Sequence, residues 1–220
     1  YLSGALSLYN HKLVNIKNSR IHHNFADDGL NIKNAKVNVT ENEFFLNSAD
    51  QFDLDTGSGI VKNNNFFGSL NQLKNEDMPL IELDTNGDGL DLSDSEVVIS
   101  DNVFEGFIDK GISIGENTKT LVIKNYFKSN RSAITAKDQS KVYLSENSYS
   151  QNNIQLEMYQ KKLFFNHPSV FNINDKHTNS KILKTQRSNY FKLSDDNIKF
   201  DLLDLELFDK LESSKWVQYE

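Results

Sequence analysis

Aspartate residues recur at a regular spacing in the first half of the chain, and such an arrangement could support acid–base or cation chemistry. They are Asp28, Asp50, Asp53, Asp55, Asp88 and Asp91. If the spacing places equivalent residues on adjacent strands, the carboxyl groups lie about 5 Å apart. Carboxylates that close raise one another's pKa, share a proton or bind a cation. Glycoside hydrolysis requires paired carboxyl groups about 5–9 Å apart.

The spacing of the aspartates belongs to a repeat that covers most of the chain. A triplet of an apolar residue, any residue and a second apolar residue recurs with steps of 22, 38, 22, 22 and 22. The triplets begin at Leu30, Phe52, Leu90, Ile112, Ile134 and Leu156. An earlier copy begins at Leu6, and the longer step is one period plus an insertion of 16 residues. We expect the inserted loop within residues 67–83. A fixed period in the twenties is typical of a solenoid.

A second signature, Asn-x-Phe or Asn-x-Tyr, recurs in phase with the first. Its asparagines are Asn42, Asn64, Asn102, Asn125 and Asn147. Asparagine suits a buried turn because it tolerates the left-handed conformation, and its amide can bond the next asparagine in a stack. Alternation such as Val37-x-Val39 predicts strands between the signatures. A leucine-rich repeat would need a helical segment and consensus leucines in each copy, and the sequence shows neither.

Three segments, IKNSRIHHNFADDGLNIK, SDNVFEGFIDKGISIGENT and AITAKDQSKVYLSENSYSQN, resemble right-handed parallel β-helix proteins. The similarity is to the pectin-lyase-like superfamily, and within it to the repeats of carbohydrate-binding and sugar-hydrolysis domains. It covers about residues 4–160 and implies an all-β, single-stranded right-handed parallel β-helix of about seven 22-residue coils. It also implies a secreted or cell-surface module that recognises, and in an enzyme processes, a polysaccharide or oligosaccharide. The fold hosts many functions, so a structural or adhesive scaffold in a larger surface protein is the alternative.

We divide the chain into coils at residues 1–160, a degenerate end of the solenoid at residues 161–200 and a C-terminal cap at residues 201–220. The spacing of Leu203, Leu207 and Leu211 fits a helix, whereas Leu203, Leu205 and Leu207 also alternate as in a strand. Residues 5–9 already match residues 29–33, so we expect the chain to be part of a longer polypeptide.

The composition excludes several classes of protein. The net charge of −7 disfavours nucleic acid as a partner, because Lys and Arg dominate phosphate binding. The chain has no Cys, which excludes disulfides and thiolate metal sites. It also lacks a run of 18 apolar residues, so we expect no membrane-spanning helix.

The coils would bring the polar residues into rows on their outer surface. The candidate catalytic residues are Asp28, Asp53, Asp55, Asp91 and Lys110. The candidate substrate-binding residues are Asn31, Lys33, Asp53, Asp91, Lys137 and Tyr159. The pair Asp27-Asp28 before Gly29 resembles the paired-aspartate element of polygalacturonases, but the Gly-His-Gly and Arg-Ile-Lys elements of that family are absent, as is the Asp-Pro-His-Asp element of alginate epimerases. Lyase, epimerase and hydrolase activities, binding alone, and a role in solubility all remain open.

A short loop sequence raises the alternative of a calcium site. Asp84, Asn86 and Asp88 match the start of an oxygen-ligand loop. The twelfth position is Ser95 instead of Glu, so the sequence does not support an EF-hand. We favour a turn, because Asp, Asn and Gly are also the residues that turns prefer. We interpret His11, His22 and His23, near the N-terminal coils, as surface residues.

Overall fold

The computed structural model of the chain is a parallel β-solenoid. The structure describes residues 3–68, 87–175, 182–184, 190–194 and 206–219. Three sheets run along the solenoid, and each complete coil contributes one strand to each sheet. The predicted all-β parallel β-helix is confirmed, with six coils that contain all three strands and two more, β19–β20 and β21–β22, in which the described residues form strands of the first and second sheets.

The strands of the three sheets follow one another in a fixed rotation along the chain. The first sheet contains β1 (Gly4–Tyr9), β4 (Asp28–Lys33), β7 (Phe52–Asp55), β10 (Leu90–Ser93), β13 (Lys110–Gly115), β16 (Ser132–Lys137), β19 (Ile154–Tyr159) and β21 (Ile182–Lys184). The second contains β2 (Val14–Lys17), β5 (Lys36–Thr40), β8 (Ser58–Lys62), β11 (Glu96–Ser100), β14 (Lys119–Ile123), β17 (Lys141–Ser145), β20 (Ser169–Asn172), β22 (Tyr190–Ser194) and β23 (Trp216–Tyr219). The third contains β3 (Arg20–His22), β6 (Glu43–Phe45), β9 (Asn65–Phe67), β12 (Val103–Glu105), β15 (Tyr126–Lys128) and β18 (Ser148–Ser150).

Equivalent apolar residues of successive coils stack in the core, as the repeat predicts. The register pairs Leu30 with Phe52, Phe52 with Leu90 and so on through Ile112, Ile134 and Leu156, and all six are fully buried. The aromatic residues after the asparagines also stack, with centroid distances of 4.8 Å from Phe44 to Phe66 and 4.7 Å from Phe66 to Phe104. Because β10 pairs directly with β7, the insertion does not interrupt the stack. The inserted loop lies outside the described residues except for Phe67 and Gly68.

The asparagine column forms a buried hydrogen-bonded ladder at the corner between the second and third sheets. The Asn64 Oδ1 atom accepts hydrogen bonds from the backbone N and the Nδ2 of Asn42, both at 2.9 Å. Asn64 Nδ2 in turn donates to the Val39 carbonyl at 2.9 Å and to Asn102 Oδ1 at 3.0 Å. The same pattern repeats through Asn125 to Asn147, whose backbone N donates to Asp175 Oδ1. The ladder therefore satisfies polar groups that water cannot reach.

The left-handed residue at this corner is the one that precedes each ladder asparagine. These residues are Glu41, Asn63, Asp101, Lys124 and Glu146, with φ between 53° and 59°. The expectation that the ladder asparagines themselves adopt this conformation was wrong. The positive φ bends the chain one residue earlier, which leaves the asparagine free to point inward.

A second asparagine column, which the sequence analysis missed, lies at the corner after the third sheet. Asn130 Oδ1 accepts from the Phe107 backbone N at 3.0 Å, and Asn130 Nδ2 donates to Asn152 Oδ1 at 3.0 Å. In an earlier coil, Asn47 Nδ2 donates to the Ile21 carbonyl at 3.1 Å. Each member follows a ladder asparagine by five residues, and that spacing could have revealed the column.

The C-terminal segment contains both a helix and a strand. Helix α1 (Leu207–Ser213) packs Leu207 and Leu211 on the outer face of the second sheet against Val98, Leu121, Ile123, Tyr143 and Phe171. Glu212 forms ion pairs with Lys119 at 3.0 Å and Lys141 at 3.1 Å. Strand β23 pairs antiparallel with β22 at the end of the second sheet. Among the described residues, no helix is long and apolar enough to cross a membrane.

The asparagine ladder predicts a loss of stability in Asn64→Ala, and the neighbouring Asn65→Ala is its matched control. Asn64→Ala removes the acceptor of two Asn42 donors and the donor to Val39, so unfolding free energy should fall by at least about 2 kcal/mol. Asn65 is exposed, and Asn65→Ala should change the unfolding free energy by less than about 0.5 kcal/mol. Urea unfolding followed by circular dichroism measures both. Equal effects of the two substitutions would contradict a stabilising ladder.

Candidate functional site

The polar residues selected from the sequence lie in a line on the first sheet. Leu30 and Ile32 point into the core, so the intervening Asn31 points to the opposite face. The strand register aligns its equivalents along the solenoid, and we call this line the outer row. The outer row contains Ser7, Asn31, Asp53, Asp91, Ser113, Thr135 and Glu157. Its members follow one another at about 4.8 Å, the spacing of hydrogen-bonded strands.

A second line, the turn row, lies where the chain enters the first sheet. It contains Asp28, Asp50, Asp88, Lys110 and Ser132. The Asp50 Oδ1 atom accepts a hydrogen bond from the Asp88 backbone N at 2.6 Å, and Asp28 Oδ1 accepts from the Asp50 backbone N at 3.3 Å. Lys110 Nζ donates to Asp88 at 3.2 Å and contacts Asp109. Asp28 and Asp50 therefore each accept a hydrogen bond from the backbone of the next coil, and Asp88 forms an ion pair with Lys110.

Asn31 connects the two rows. Its Nδ2 atom donates to Asp28 Oδ2 at 2.8 Å and to Asp53 Oδ2 at 2.6 Å. Since both carboxyl groups contact one nitrogen, Asn31 holds Asp28 and Asp53 of two adjacent coils side by side.

Burial and like charges raise the pKa of four of these carboxyl groups. Burial, followed by the neighbouring Asp55 and Asp91, raises the pKa of Asp53 to about 8. Burial also raises the pKa of Asp28 to about 6 and, against the opposing effect of Lys110, that of Asp88 to about 6. The pKa of Asp50 lies well above its ordinary value, because the group is buried beside Asp88 and Asp91. With a pKa of about 8, Asp53 is mostly protonated at neutral pH, and in that form it can donate a hydrogen bond.

Long basic side chains lie over the other half of the outer row. Lys137 Nζ is 3.9 Å from Asp91 Oδ1, so its side chain spans the intervening strand β13 at Gly115. Ser113 and Thr135 are fully buried. The sequence analysis treated all these outward positions as an open polar surface, and that was wrong for Asn31, Ser113, Thr135, Lys137 and Glu157, which are all buried. Lysine stems pack along a surface and cover shorter neighbours.

Three atoms of the outer row are buried without a hydrogen-bond partner. They are Asn31 Oδ1, Asp91 Oδ1 and Ser113 Oγ. Buried polar atoms are normally hydrogen-bonded, so such atoms indicate a group that a ligand or water would satisfy. The three belong to consecutive or near-consecutive strands of one sheet, which makes the outer row the candidate binding site.

The structure places the other predicted residues at the edges of this site. Lys33 forms an ion pair with Asp55 at 2.6 Å. Tyr159 is half-buried and pairs in register with Lys137. Asp84 and Asn86 of the calcium prediction lie outside the described residues, whereas Asp88 belongs to the turn row. Among the described residues, no group of three or more His, Cys, Asp or Glu side chains could hold a metal ion.

Sequence reasoning missed two charged residues next to the turn row. Asp109 accepts a hydrogen bond from Arg131 at 3.0 Å and also contacts Lys110. Arg131 lies 3.6 Å from Glu157 Oε2 at the far end of the outer row. Asp109 and Arg131 are 22 residues apart, so the period itself could have placed them on adjacent coils.

Comparison with protein families gives one match. The family model described as "Periplasmic copper-binding protein (NosD)" matches residues 3–169. No curated protein and no solved structure matches the chain.

The raised pKa of Asp53 predicts a pH-dependent effect of Asp53→Asn on stability. The folded protein holds a proton on Asp53 that the unfolded chain releases above about pH 4, so this group lowers stability progressively as pH rises from about 4 to about 8. Asparagine imitates the protonated side chain. Asp53→Asn should therefore be neutral near pH 4 and should stabilise the protein at pH 8 by at least about 1.4 kcal/mol, the value of one pKa unit.

Unfolding free energies from urea titrations at both pH values measure this effect. Asp94 is exposed at a coil corner with φ of 49°, a conformation that asparagine also tolerates. Asp94→Asn is therefore the matched control and should leave the pH profile unchanged. A constant effect of Asp53→Asn at all pH values would disprove the proton linkage.

Proposed function

We propose that this chain, which belongs to the NosD family of right-handed parallel β-helix proteins, is a polysaccharide-recognising β-helix module. The family description places its members in the periplasm, and we propose that this chain also works outside the cytoplasm. The observation that carries the proposal is the outer row, in which three buried polar atoms lack partners beside a protonated carboxyl group.

The chemistry of the outer row suits sugar hydroxyl groups, which both donate and accept hydrogen bonds. Asn31 Oδ1 and Asp91 Oδ1 are acceptors. The protonated carboxyl group of Asp53 adds a donor. A ligand that supplies the missing partners gains hydrogen bonds that the free protein lacks.

The shape of the outer row favours an extended ligand. Its residues repeat at about 4.8 Å along the solenoid axis and occupy seven successive strands of the first sheet. A polymer that lies along the axis can contact several equivalent positions, and each added position increases the total binding free energy. Tyr159 at one end and Tyr9 at the other provide rings for stacking on sugars.

The charges around the row favour a neutral glycan over a polyanionic one. The bases are already paired, Lys33 with Asp55, Lys110 with Asp88 and Asp109, and Arg131 with Asp109. Since these bases already have carboxylate partners, they are not free to neutralise the carboxylates of a uronate polymer. This argues against the lyase and epimerase activities, which require a base and a group that neutralises a uronate.

Hydrolysis is the second candidate function, and it rests on the pair Asp28 and Asp53. Their carboxyl groups flank Asn31, and their pKa values of about 6 and about 8 leave one ionised and the other protonated near pH 7. A protonated acid beside an ionised carboxylate is the combination that glycosidases use.

Copper, which the family description names, does not suit the outer row. Its donors are carboxylate, amide and hydroxyl oxygens, which favour Mg²⁺, Ca²⁺ or Mn²⁺. The chain has no Cys, and the described residues provide no group of three His, Cys, Asp or Glu ligands. The proposed glycan recognition therefore involves no copper.

A glycan array with the purified chain tests the proposal. We expect binding to a neutral polysaccharide, and at least tenfold weaker binding by Asp53→Ala and Asp91→Ala, because each substitution removes a carboxyl group of the row. Asp101 is exposed at the corner between the second and third sheets, so Asp101→Asn should bind as the wild type does. The release of reducing ends would identify hydrolysis, and formation of unsaturated uronate would identify a lyase.

The results separate recognition from a scaffold role. Binding without turnover would support a recognition module. Glycan binding that survives both outer-row substitutions would place the site elsewhere, and a chain that binds no glycan would be better explained as a structural or adhesive solenoid.

A further inference from the structure

A loop that the repeat does not require lies at one corner of the seventh coil. It comprises residues 160–168, which join β19 of the first sheet to β20 of the second, and we call it the corner loop. In each of the six preceding coils, two to four residues make the same turn. Insertions in a solenoid commonly build its binding face, so we compared the position of the corner loop with that of the outer row.

The corner loop folds back over the same corner of the preceding coil. The backbone N atoms of Lys161 and Lys162 donate to Asp138 Oδ1 at 2.6 Å and 2.8 Å. Farther along the loop, Asn166 Nδ2 donates to Gln139 Oε1 at 3.0 Å. Because Asp138 and Gln139 belong to the corner between β16 and β17, these hydrogen bonds fasten the loop to the body of the solenoid.

The Lys162 side chain extends farther, toward the outer row. Its Nζ atom contacts Glu116, which lies two coils earlier. Glu116 Oε2 accepts a hydrogen bond from Ser93 Oγ at 2.5 Å, and Ser93 lies two residues after Asp91 on β10. The hydrogen bond to Glu116 raises the pKa of Lys162, and the charge of Asp91 adds to this effect. The corner loop therefore lies beside the outer row at Asp91.

The tip of the corner loop is a tight turn that presents two apolar side chains. Leu163 and Phe164 occupy its middle positions and are 93% and 81% exposed. The Phe165 backbone N donates to the Lys162 carbonyl across the turn at 3.1 Å. Gln160 Nε2 donates to the Leu163 carbonyl at 3.3 Å and to the Phe165 carbonyl at 2.5 Å, so the turn is held in one conformation.

Leucine and phenylalanine are unusual residues for the middle of a turn. Turns prefer Gly, Pro, Asn, Asp and Ser, because these residues adopt turn dihedrals or bond their own backbone. Leu163 and Phe164 are also too exposed to contribute to core packing. Residues that break a local rule are expected at functional sites. A ligand that covers the two side chains would supply the apolar contact that they lack in the free protein.

We propose that Leu163 and Phe164 form an apolar subsite that packs against the ring face of a sugar whose polymer binds along the outer row. This role depends on the proposed glycan recognition and narrows its substrate class. The outer row supplies hydrogen bonds to hydroxyl groups, and the tip of the corner loop supplies apolar surface. Together they match the two kinds of surface that a sugar ring presents, its hydroxyl rim and its C–H faces.

The chemistry of this subsite identifies the class of glycan. A pyranose whose hydroxyl groups are all equatorial carries axial C–H hydrogens on both ring faces, and these hydrogens are attracted to the electron-rich face of an aromatic ring. Since Lys162 is already paired with Glu116, it is not free to neutralise an acidic sugar. The outer row is extended, which suits a β-linked chain. The substrate class is therefore a β-linked polymer of glucose or xylose.

Calorimetric titration of the full chain with cellohexaose, a β-linked glucose hexamer, tests the subsite. Phe164→Ala should weaken binding at least about fivefold, and the double variant with Leu163→Ala at least about tenfold, because the apolar contact is lost. Phe164→Tyr keeps the ring and should bind as the wild type does. Because both side chains are exposed, none of these substitutions should change the melting temperature.

Tyr126→Ala is the matched control, because Tyr126 is an exposed aromatic residue on the third sheet, away from the outer row. It should bind cellohexaose as the wild type does. Wild-type affinity in the double variant, or an equal loss in Tyr126→Ala, would overturn the subsite and leave glycan recognition by the outer row intact. A chain that binds another glycan on the array but not cellohexaose would also overturn the subsite alone. A chain that binds no glycan would overturn the proposed function, and the subsite with it.

Discussion

The in-register stacking of coils is the constraint on which the rest of the structure depends. Parallel strands bring equivalent residues of successive coils to within about 4.8 Å, so each position of the repeat meets its own equivalents. Apolar residues are stabilised by this stacking, because each packs on an apolar equivalent in the next coil, as Leu90 and Phe104 do. Buried corners can exist only if their polar groups find partners in the next coil. The asparagine ladder meets that requirement, because one amide oxygen accepts two donors while its nitrogen reaches a backbone carbonyl.

The same constraint produces the electrostatics of the candidate site. A carboxylate at one position of the repeat has another carboxylate as its neighbour whenever two coils share the residue type, as Asp53 and Asp91 do. Neighbouring strands also limit the access of water to the side chains between them. Burial and repulsion then act together, and the pKa values of Asp28, Asp53 and Asp88 rise. These shifts follow from aspartates at repeated positions on a stacked sheet.

Features set by equivalence between coils were predictable from the sequence, and features set by contacts between different positions were not. The repeat period alone predicts the apolar stack that begins at Leu30 and the asparagine ladder that contains Asn64. Ser113 is fully buried although it points outward, and Lys137, which crosses the same strand to reach Asp91, comes from another strand and a different position of the coil. Helix α1 lies outside the repeat, so the period could not predict that it packs back on the second sheet.

The protonation of Asp53 separates two explanations of the acidic rows. If these aspartates served only solubility, they would lie in water and carry full charge at neutral pH. A carboxyl group with a pKa of about 8 is mostly neutral there, so it adds little charge. It also lowers stability above about pH 4, because the unfolded chain can release the proton freely. A side chain with that cost and without that benefit fits the proposed hydrogen bond to a ligand beside Asn31, whose Oδ1 lacks a partner.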